Sequence, residues 1–121
     1  MQLMCNSSEE GDVEGLGWID AEIVRFIASD SMKFKIPHIG WNQIKILKPS
    51  YVLKGINEYS EFYFIHSYFA MPVNNKIVLN ETDYIQNFCS AFEDENIIGV
   101  QYHPEKSHDI GEKFFNNFLN F

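Results

Sequence analysis

The stretch Gln101-Tyr102-His103-Pro104-Glu105-Lys106-Ser107 decides how the rest of the chain is read. It follows Ile97-Ile98-Gly99-Val100, an apolar run of buried-strand character, and leads into Ser107-His108-Asp109, which has the residue types of a helix start. His103 and Glu105 therefore stand where a strand ends, the place where open α/β sheets form their ligand crevices. Residues two apart in extended chain share a face. Pro104 fixes its own φ and biases His103 away from helix, which favours an extended spacing. A carboxylate so placed holds an imidazole in one tautomer and stabilises its charged form. Taken alone, a His-x-Glu pair is more often structural than catalytic. Here it supplies two parts of a nucleophile–base–orienter triad. A zinc reading of His103, Glu105 and His108 needs two histidines one turn apart on a helix, and Pro104 opposes helix there.

The surrounding composition bounds the answer. A chain of 121 residues is one domain at most, and 45% hydrophobic with 16% aromatic residues is ample material for a core. A net charge of −8 and a pI near 4.8 argue against a nucleic-acid or anionic-membrane partner, because both are bound through an excess of Lys and Arg. Cys5 and Cys89 are too few and too far apart for a disulfide framework and read as free thiols in a reducing cytoplasm. No run reaches the length of a membrane span, and Met1–Glu10 lacks the basic start and apolar core of a signal peptide.

Along the chain, residues 1–6 read as a scrap of apolar helix and residues 7–17 as a glycine-punctuated loop. Strands are predicted over 19–26, 36–39 and 41–47, with a polar turn over 28–33. Pro49–Glu58 is irregular. Phe62-Tyr63-Phe64-Ile65 is continuously apolar, so that strand is expected to be covered on both faces, and it ends in His66-Ser67-Tyr68. Ile77–Leu79 is a further strand. Phe88–Phe92 and Ile97–Tyr102, split by Glu93-Asp94-Glu95-Asn96, read as a hairpin. Ile110, Phe114, Phe115, Phe118 and Leu119 have helical spacing and give the last segment one apolar face, with Ser107 or Asp109 as N-cap.

Several short motifs then fall into a known order. They are Met-Gln-Leu-Met at 1–4, Ser-Glu-Glu-Gly at 8–11, Gly-Leu-Gly at 15–17, Pro-His-Ile-Gly-Trp-Asn at 37–42, His-Ser-Tyr at 66–68 and the opening stretch at 101–107. In that order the chain resembles the class I (triad-type) glutamine amidotransferases. Within them it is most similar to the glutaminase subunit of imidazole glycerol phosphate synthase, from histidine biosynthesis. The resemblance implies an α/β fold, a three-layer α/β/α sandwich with a mostly parallel sheet. Residues 1–121 would be the C-terminal portion of a single amidotransferase domain. It also implies a nucleophilic cysteine in a Gly-x-Cys-x-Gly-Met-Gln turn, where helix N–H groups lower the thiol pKa. That cysteine would precede Met1 by three residues, so the nucleophile is expected to lie outside these residues and the chain alone to be inactive. Cys5, two turns further on, and Cys89 read as small buried hydrophobes.

By the same resemblance, His103 is the general base and Glu105 its orienter. Gln2, Glu10, Ser67 and Tyr68 would surround the glutamine substrate, where a carboxylate such as Glu10 suits an ammonium group. Lys106, Trp41, Asn42, His38 and Tyr63 match a surface that meets a (β/α)₈-barrel cyclase subunit, to which ammonia is passed out of contact with water. His66 reads as a structural strand-end histidine and His108 as a helix first-turn residue without a role. No metal or organic cofactor is implied. Two alternatives stay open: a paralogue supplying ammonia to surface-sugar biosynthesis, and a non-catalytic partial chain that only docks to the barrel.

Overall fold

The computed structural model describes residues 1–30 and 32–120. Ten strands and one helix are formed among them: β1 (Ser7–Ser8), β2 (Val13–Glu14), β3 (Ala21–Arg25), β4 (His38–Gln43), β5 (Lys45–Ile46), β6 (Glu61–His66), β7 (Tyr68–Pro72), β8 (Val78–Tyr84), β9 (Gln86–Asp94), β10 (Ile97–Val100) and α1 (His108–Leu119). Short 3₁₀ turns occupy Gln2–Met4, Glu10–Asp12, Tyr51–Leu53, Asn75–Ile77 and Pro104–Lys106. The larger sheet has the order β2-β1-β3-β7-β9-β8-β5, with β10 also paired to β9, and β4 and β6 form a separate two-stranded ribbon.

The α/β class holds, and the expected hairpin is present as β9 and β10, with Ile97 opposite Asp94 and Val100 opposite Ala91. Strand direction differs from the expectation. Among the described residues only β1·β3 is parallel, and every other pairing is antiparallel. Short connections account for two of these pairings: Ile85 alone joins β8 to β9, and Glu95 and Asn96 join β9 to β10. A parallel pair needs a crossover of a dozen or more residues.

Neighbouring residues of the central strands send their side chains to opposite faces, which builds two apolar layers. On one face Phe69 of β7 and Phe88 of β9 join Phe26, Phe62, Phe64, Leu79, Tyr102 and Phe114. On the other, Ala70 and Cys89 join Cys5, Ile19, Ile23 and Phe92. The ribbon and α1 cover the first layer. Residues 1–6 contribute to the second, as a 3₁₀ turn and an extended Cys5 rather than the expected α-helix.

Two expectations are corrected. The β6 strand is not covered on both faces: Phe62, Phe64 and His66 are buried while Ile65 is 41% exposed, because the ribbon has the protein core on one side only. The aromatic stripe of α1 is only partly core; Phe114 is buried, but Phe115, Phe118 and Leu119 are exposed on a surface helix. Of the two N-cap candidates Ser107 takes the position, and its hydroxyl is engaged elsewhere: it donates to His103 O at 2.6 Å and accepts the Tyr63 N–H at 3.0 Å. In the predicted turn over 28–33, Ser31 lies outside the described residues.

Candidate active site

His103 leaves the end of β10 in extended conformation (φ −106°, ψ 92°), and Pro104 then starts a 3₁₀ turn through Lys106. The turn, rather than continued extended chain, brings the pair together. Proline suits the first helical position because its fixed φ is already helical and it has no N–H to lose. The His103 Nδ1–H donates to Glu105 Oε1 at 2.6 Å. That bond places the ring proton on Nδ1 and leaves Nε2 as the free basic nitrogen. Burial pushes the Glu105 carboxyl up, and is the largest single effect on it. Its own backbone N–H, the His103 hydrogen bond and the charges of His103 and Lys106 together outweigh burial and hold the carboxyl below the usual range.

Three further contacts fix this strand end. The His103 N–H donates to Tyr63 O at 2.9 Å, the Ser107 hydroxyl bridges to β6, and α1 approaches closely at Gly111. A Cβ on Gly111 would collide with the Pro104 carbonyl, so only glycine lets the helix pack beneath the turn.

Just before this segment in the chain, Gln101 reaches an open cleft of about 390 Å³. Gln2, Glu10, Ser67 and Tyr68 line it, with His66 and Gln101. They come from three distant parts of the chain. Gln2 sits on the first 3₁₀ turn, and its Nε2–H groups donate to Tyr68 O (3.1 Å) and Gln101 Oε1 (2.9 Å). Glu10 is carried by a turn in which Gly11 takes φ +73°. Ser67 bridges β6 and β7, and its carbonyl accepts the Phe26 N–H at 3.0 Å. Gln101 links the cleft to His103 two residues along. A larger groove of about 530 Å³ near Glu58, Glu81 and Asp83 has no histidine or cysteine in its wall.

The proposed partner residues divide. Trp41 is 44% exposed, its ring 5.9 Å from that of Tyr63. It stacks on His108 at 5.3 Å with an interplanar angle of 16°, a contact with no signal in the sequence pattern. The Lys106 ammonium lies 6.0 Å from the Tyr63 ring centroid. In the ribbon register Ile39 faces Ile65 and Trp41 faces Tyr63, so these two successive pairs make an apolar strip on the outward face, ended by the polar pair Gln43 and Glu61. Asn42 is half-buried and turns inward; its Nδ2–H groups donate to Asp83 O (3.0 Å) and His38 Nε2 (3.3 Å). His38 is 3% exposed and presents nothing to a partner, which corrects its assignment to the interface. Being on the inward side of β4, it meets His66 instead: His38 Nδ1 and His66 Nε2 are 2.9 Å apart. Burial, and then the neighbouring ring, depress the His38 pKa to about 4. Burial does the same for His66, to about 4, against a hydrogen bond to Tyr68 O and with the charge of His103 adding to the fall. Reading the sequence for surface motifs missed this pair; its one trace was the placement of His38 and His66 opposite each other once β4 and β6 are paired.

Both thiols are buried. Burial raises Cys5 to about 11 and Cys89 to about 12, so neither is a ready thiolate. Among the described residues no group of three or more His, Cys, Asp or Glu side chains is arranged to hold a metal, and no helix is long and apolar enough to cross a membrane.

The sequence profile of glutamine amidotransferase class-I matches residues 1–121. The chain belongs to the class-I glutamine amidotransferase family. Its curated relatives include "Imidazole glycerol phosphate synthase subunit HisH 2" of Methanococcus maripaludis, 47% identical over 119 residues, which are 98% of this chain and 58% of that protein. The subunit HisH of Pelagibacter ubique is 46% identical over 112 residues, 93% of this chain and 53% of that protein. HisH 2 of Pseudomonas aeruginosa is 45% identical over 118 residues, 98% and 57% respectively. The chain thus spans somewhat over half the length of the relatives it matches. A solved structure from Thermoplasma acidophilum, described as "a putative gmp synthase subunit a protein", shares the fold. Its TM-score is 0.62 at 18% identity, over 83% of this chain and 47% of that one.

Proposed function

We propose that residues 1–121 are the base-bearing portion of one glutaminase domain, that of the imidazole glycerol phosphate synthase glutaminase subunit. Such a domain hydrolyses glutamine to glutamate and ammonia in a cytoplasmic, histidine-biosynthetic setting. The observation that carries this reading is the convergence of Gln2, Glu10, Ser67 and Tyr68 on one cleft that Gln101, two residues before His103, also lines. A carboxylate, a side-chain amide and backbone polar groups around a small open cleft suit an amino acid with both charges, with Glu10 toward the α-ammonium. His103 Nε2 would take the proton of a cysteine thiol and return it to the departing ammonia, while Glu105 holds the ring and stabilises its cation. Neither Cys5 nor Cys89 fills the nucleophile's role, since both are buried with raised pKa values.

The curated relatives are named as subunits, and the outward face of the ribbon supports a partner for this chain as well. Ile39, Ile65, Trp41 and Tyr63 form an apolar strip with Lys106 beside it, at the edge of the segment that bears His103. An apolar centre with an aromatic anchor and a single cation is the make-up of an interface hot spot, and a barrel cyclase receiving ammonia is the partner this reading assigns to it. Titration of the chain with L-glutamine tests the substrate. Saturable binding that Glu10→Ala weakens at least tenfold is expected. Equal affinity for L-glutamine in Glu10→Ala and the parent chain would sink the reading.

A further inference from the structure

The two buried histidines form a hydrogen-bond chain whose direction the geometry determines. His66 Nδ1 lies 2.8 Å from Tyr68 O, and a carbonyl only accepts, so His66 carries its proton on Nδ1. In the neutral ring Nε2 is then an acceptor, and the atom 2.9 Å from it, His38 Nδ1, must be the donor. His38 Nε2 is in turn an acceptor, and Asn42 Nδ2 stands 3.3 Å away to donate. Every nitrogen of the pair is thus satisfied with both rings neutral and with both in the Nδ1–H tautomer. The surroundings support neutrality. His38 stacks on Tyr84 at 4.0 Å and on Phe64 at 4.9 Å, and His66 packs against Phe26 and Phe88 at 5.2 and 5.1 Å.

The chain ends on the cleft. Tyr68 O receives the His66 Nδ1–H and also the Gln2 Nε2–H at 3.1 Å. Tyr68 is opposite Arg25 in the β3·β7 ladder, while the next pair, Phe26 and Ser67, carries the ladder bond from Phe26 N to Ser67 O at 3.0 Å. Alternation along an antiparallel ladder turns the Tyr68 peptide away from β3. The carbonyl thus points to the β9 side of β7, where Ala70 opposite Cys89 is the paired position, and there the two side-chain donors hold it.

We propose that His66, backed by His38, is a positioning residue for the cleft: it fixes the Tyr68 carbonyl and, through it, the Gln2 side chain. This role rests on the proposed glutamine site and concerns binding geometry, not proton transfer to substrate. His38 acts one step further out by keeping His66 in the tautomer that donates from Nδ1.

Two variants separate positioning from plain stability. In His66→Asn the side-chain amide can reach Tyr68 O from nearly the place of Nδ1, and in His66→Leu no donor remains. Both change the acceptor that His38 Nδ1–H requires, so both are expected to lower the melting temperature. L-glutamine affinity, measured by calorimetry on the parent chain and both variants, should fall about fivefold to tenfold in His66→Leu and less than about threefold in His66→Asn. Equal losses in both would overturn the proposal. Nitrogen-15 spectra of the imidazoles and of the Gln2 side-chain amide decide it independently of substrate. Expected are Nδ1–H on both buried rings, and a Gln2 amide resonance displaced in His66→Leu but not in His66→Asn. A His66 ring protonated on Nε2, or a Gln2 amide unmoved by His66→Leu, would overturn it. If the parent chain takes up no L-glutamine, the substrate reading is what fails, and the ring and amide spectra still settle the positioning role.

Discussion

His103 Nδ1 and Glu105 Oε1 stand 2.6 Å apart across a single turn begun by Pro104, beneath which Gly111 leaves room for the helix. The pair is thus held by backbone packing as much as by its own bond. Gly111→Ala is the direct test of that dependence. The added methyl must push α1 off the Pro104 carbonyl, and overpacking of this kind costs about 1–3 kcal/mol. The expected result is a lower melting temperature together with a changed His103 ring resonance. A lower melting temperature with an unmoved His103 resonance would show that the turn keeps its shape without the helix.

Catalysis is expected to be absent from the 121-residue chain itself. The His103–Glu105 pair has no activated thiol to act on, because Cys5 and Cys89 are both buried and both held protonated. Glutamate release from L-glutamine, assayed with and without a barrel subunit, should not exceed that of the His103→Ala control. Turnover well above the control would assign the nucleophile to Cys5 and refute the prediction.

Acid should destabilise the fold through His38 and His66. Their folded pKa values are depressed to about 4 from an ordinary 6.5, so the unfolded chain binds more protons between those limits. Stability is then full above pH 6.5 and falls as pH drops toward 4. At roughly 1.4 kcal/mol per pH unit for one proton, the loss over that window is on the order of 3 kcal/mol for a single ring. The titratable groups around the pair are Tyr84, stacked on His38, His103, whose charge opposes that of His66, and Glu10 across the cleft. Urea midpoints measured from about pH 7.5 to about pH 4.5 should fall steeply in the parent chain and less steeply in His38→Phe. Parallel pH profiles would place the acid sensitivity elsewhere.

Much of the site was readable from motif order, and much of its logic was not. The β9–β10 hairpin follows from two apolar runs split by Glu93–Asn96, and the structure bears it out. Gln2, Glu10, Ser67 and Tyr68 could be grouped only through family resemblance, since no local periodicity brings residue 2 beside residue 68. Strand direction was illegible because alternation along a strand carries no information on the polarity of its neighbour. The ribbon misled most. Alternation along Pro37–Asn42 puts His38 on one face of β4 and Ile39 and Trp41 on the other, and apolar side chains ordinarily go inward. The opposite occurs: the histidine is inside and Ile39 is 57% exposed. A buried imidazole is tolerated there because Asn42 and His66 satisfy both of its nitrogens. Pairing across strands, invisible in one strand's pattern, makes that possible.

The outward face of the ribbon should behave as a docking surface. Against the barrel subunit proposed as partner, Trp41→Ala and Lys106→Ala are expected to weaken binding, by about 2 kcal/mol or more for the tryptophan as a central anchor. Folding should be disturbed less, since Trp41 is already 44% exposed and its ring neighbours, Tyr63 and His108, remain. Calorimetric titration against the barrel gives the first quantity and circular dichroism melting the second. Unchanged affinity with a lowered melting temperature would make Trp41 a packing residue only.

The same face predicts how the 121 residues behave when expressed alone. Ile39, Ile65, Trp41 and Tyr63 form a contiguous apolar strip, and Phe115, Phe118 and Leu119 add exposed apolar surface on α1. Contiguous patches of this kind drive association when no partner covers them. The two ends of the large sheet are less of a hazard, because β2 and β5 are only two residues long and offer few unpaired backbone groups. A net charge of −8 opposes association at long range, and salt screens it. Self-association should therefore grow with ionic strength, as charge repulsion weakens and apolar contact does not. Light scattering at low and high salt measures it, and an Ile39→Lys/Trp41→Lys double variant should remain monomeric at both. A parent chain that is monomeric at high salt, with a cooperative melt and protected β6 and β10 amides, would show that the ribbon's apolar face needs no cover.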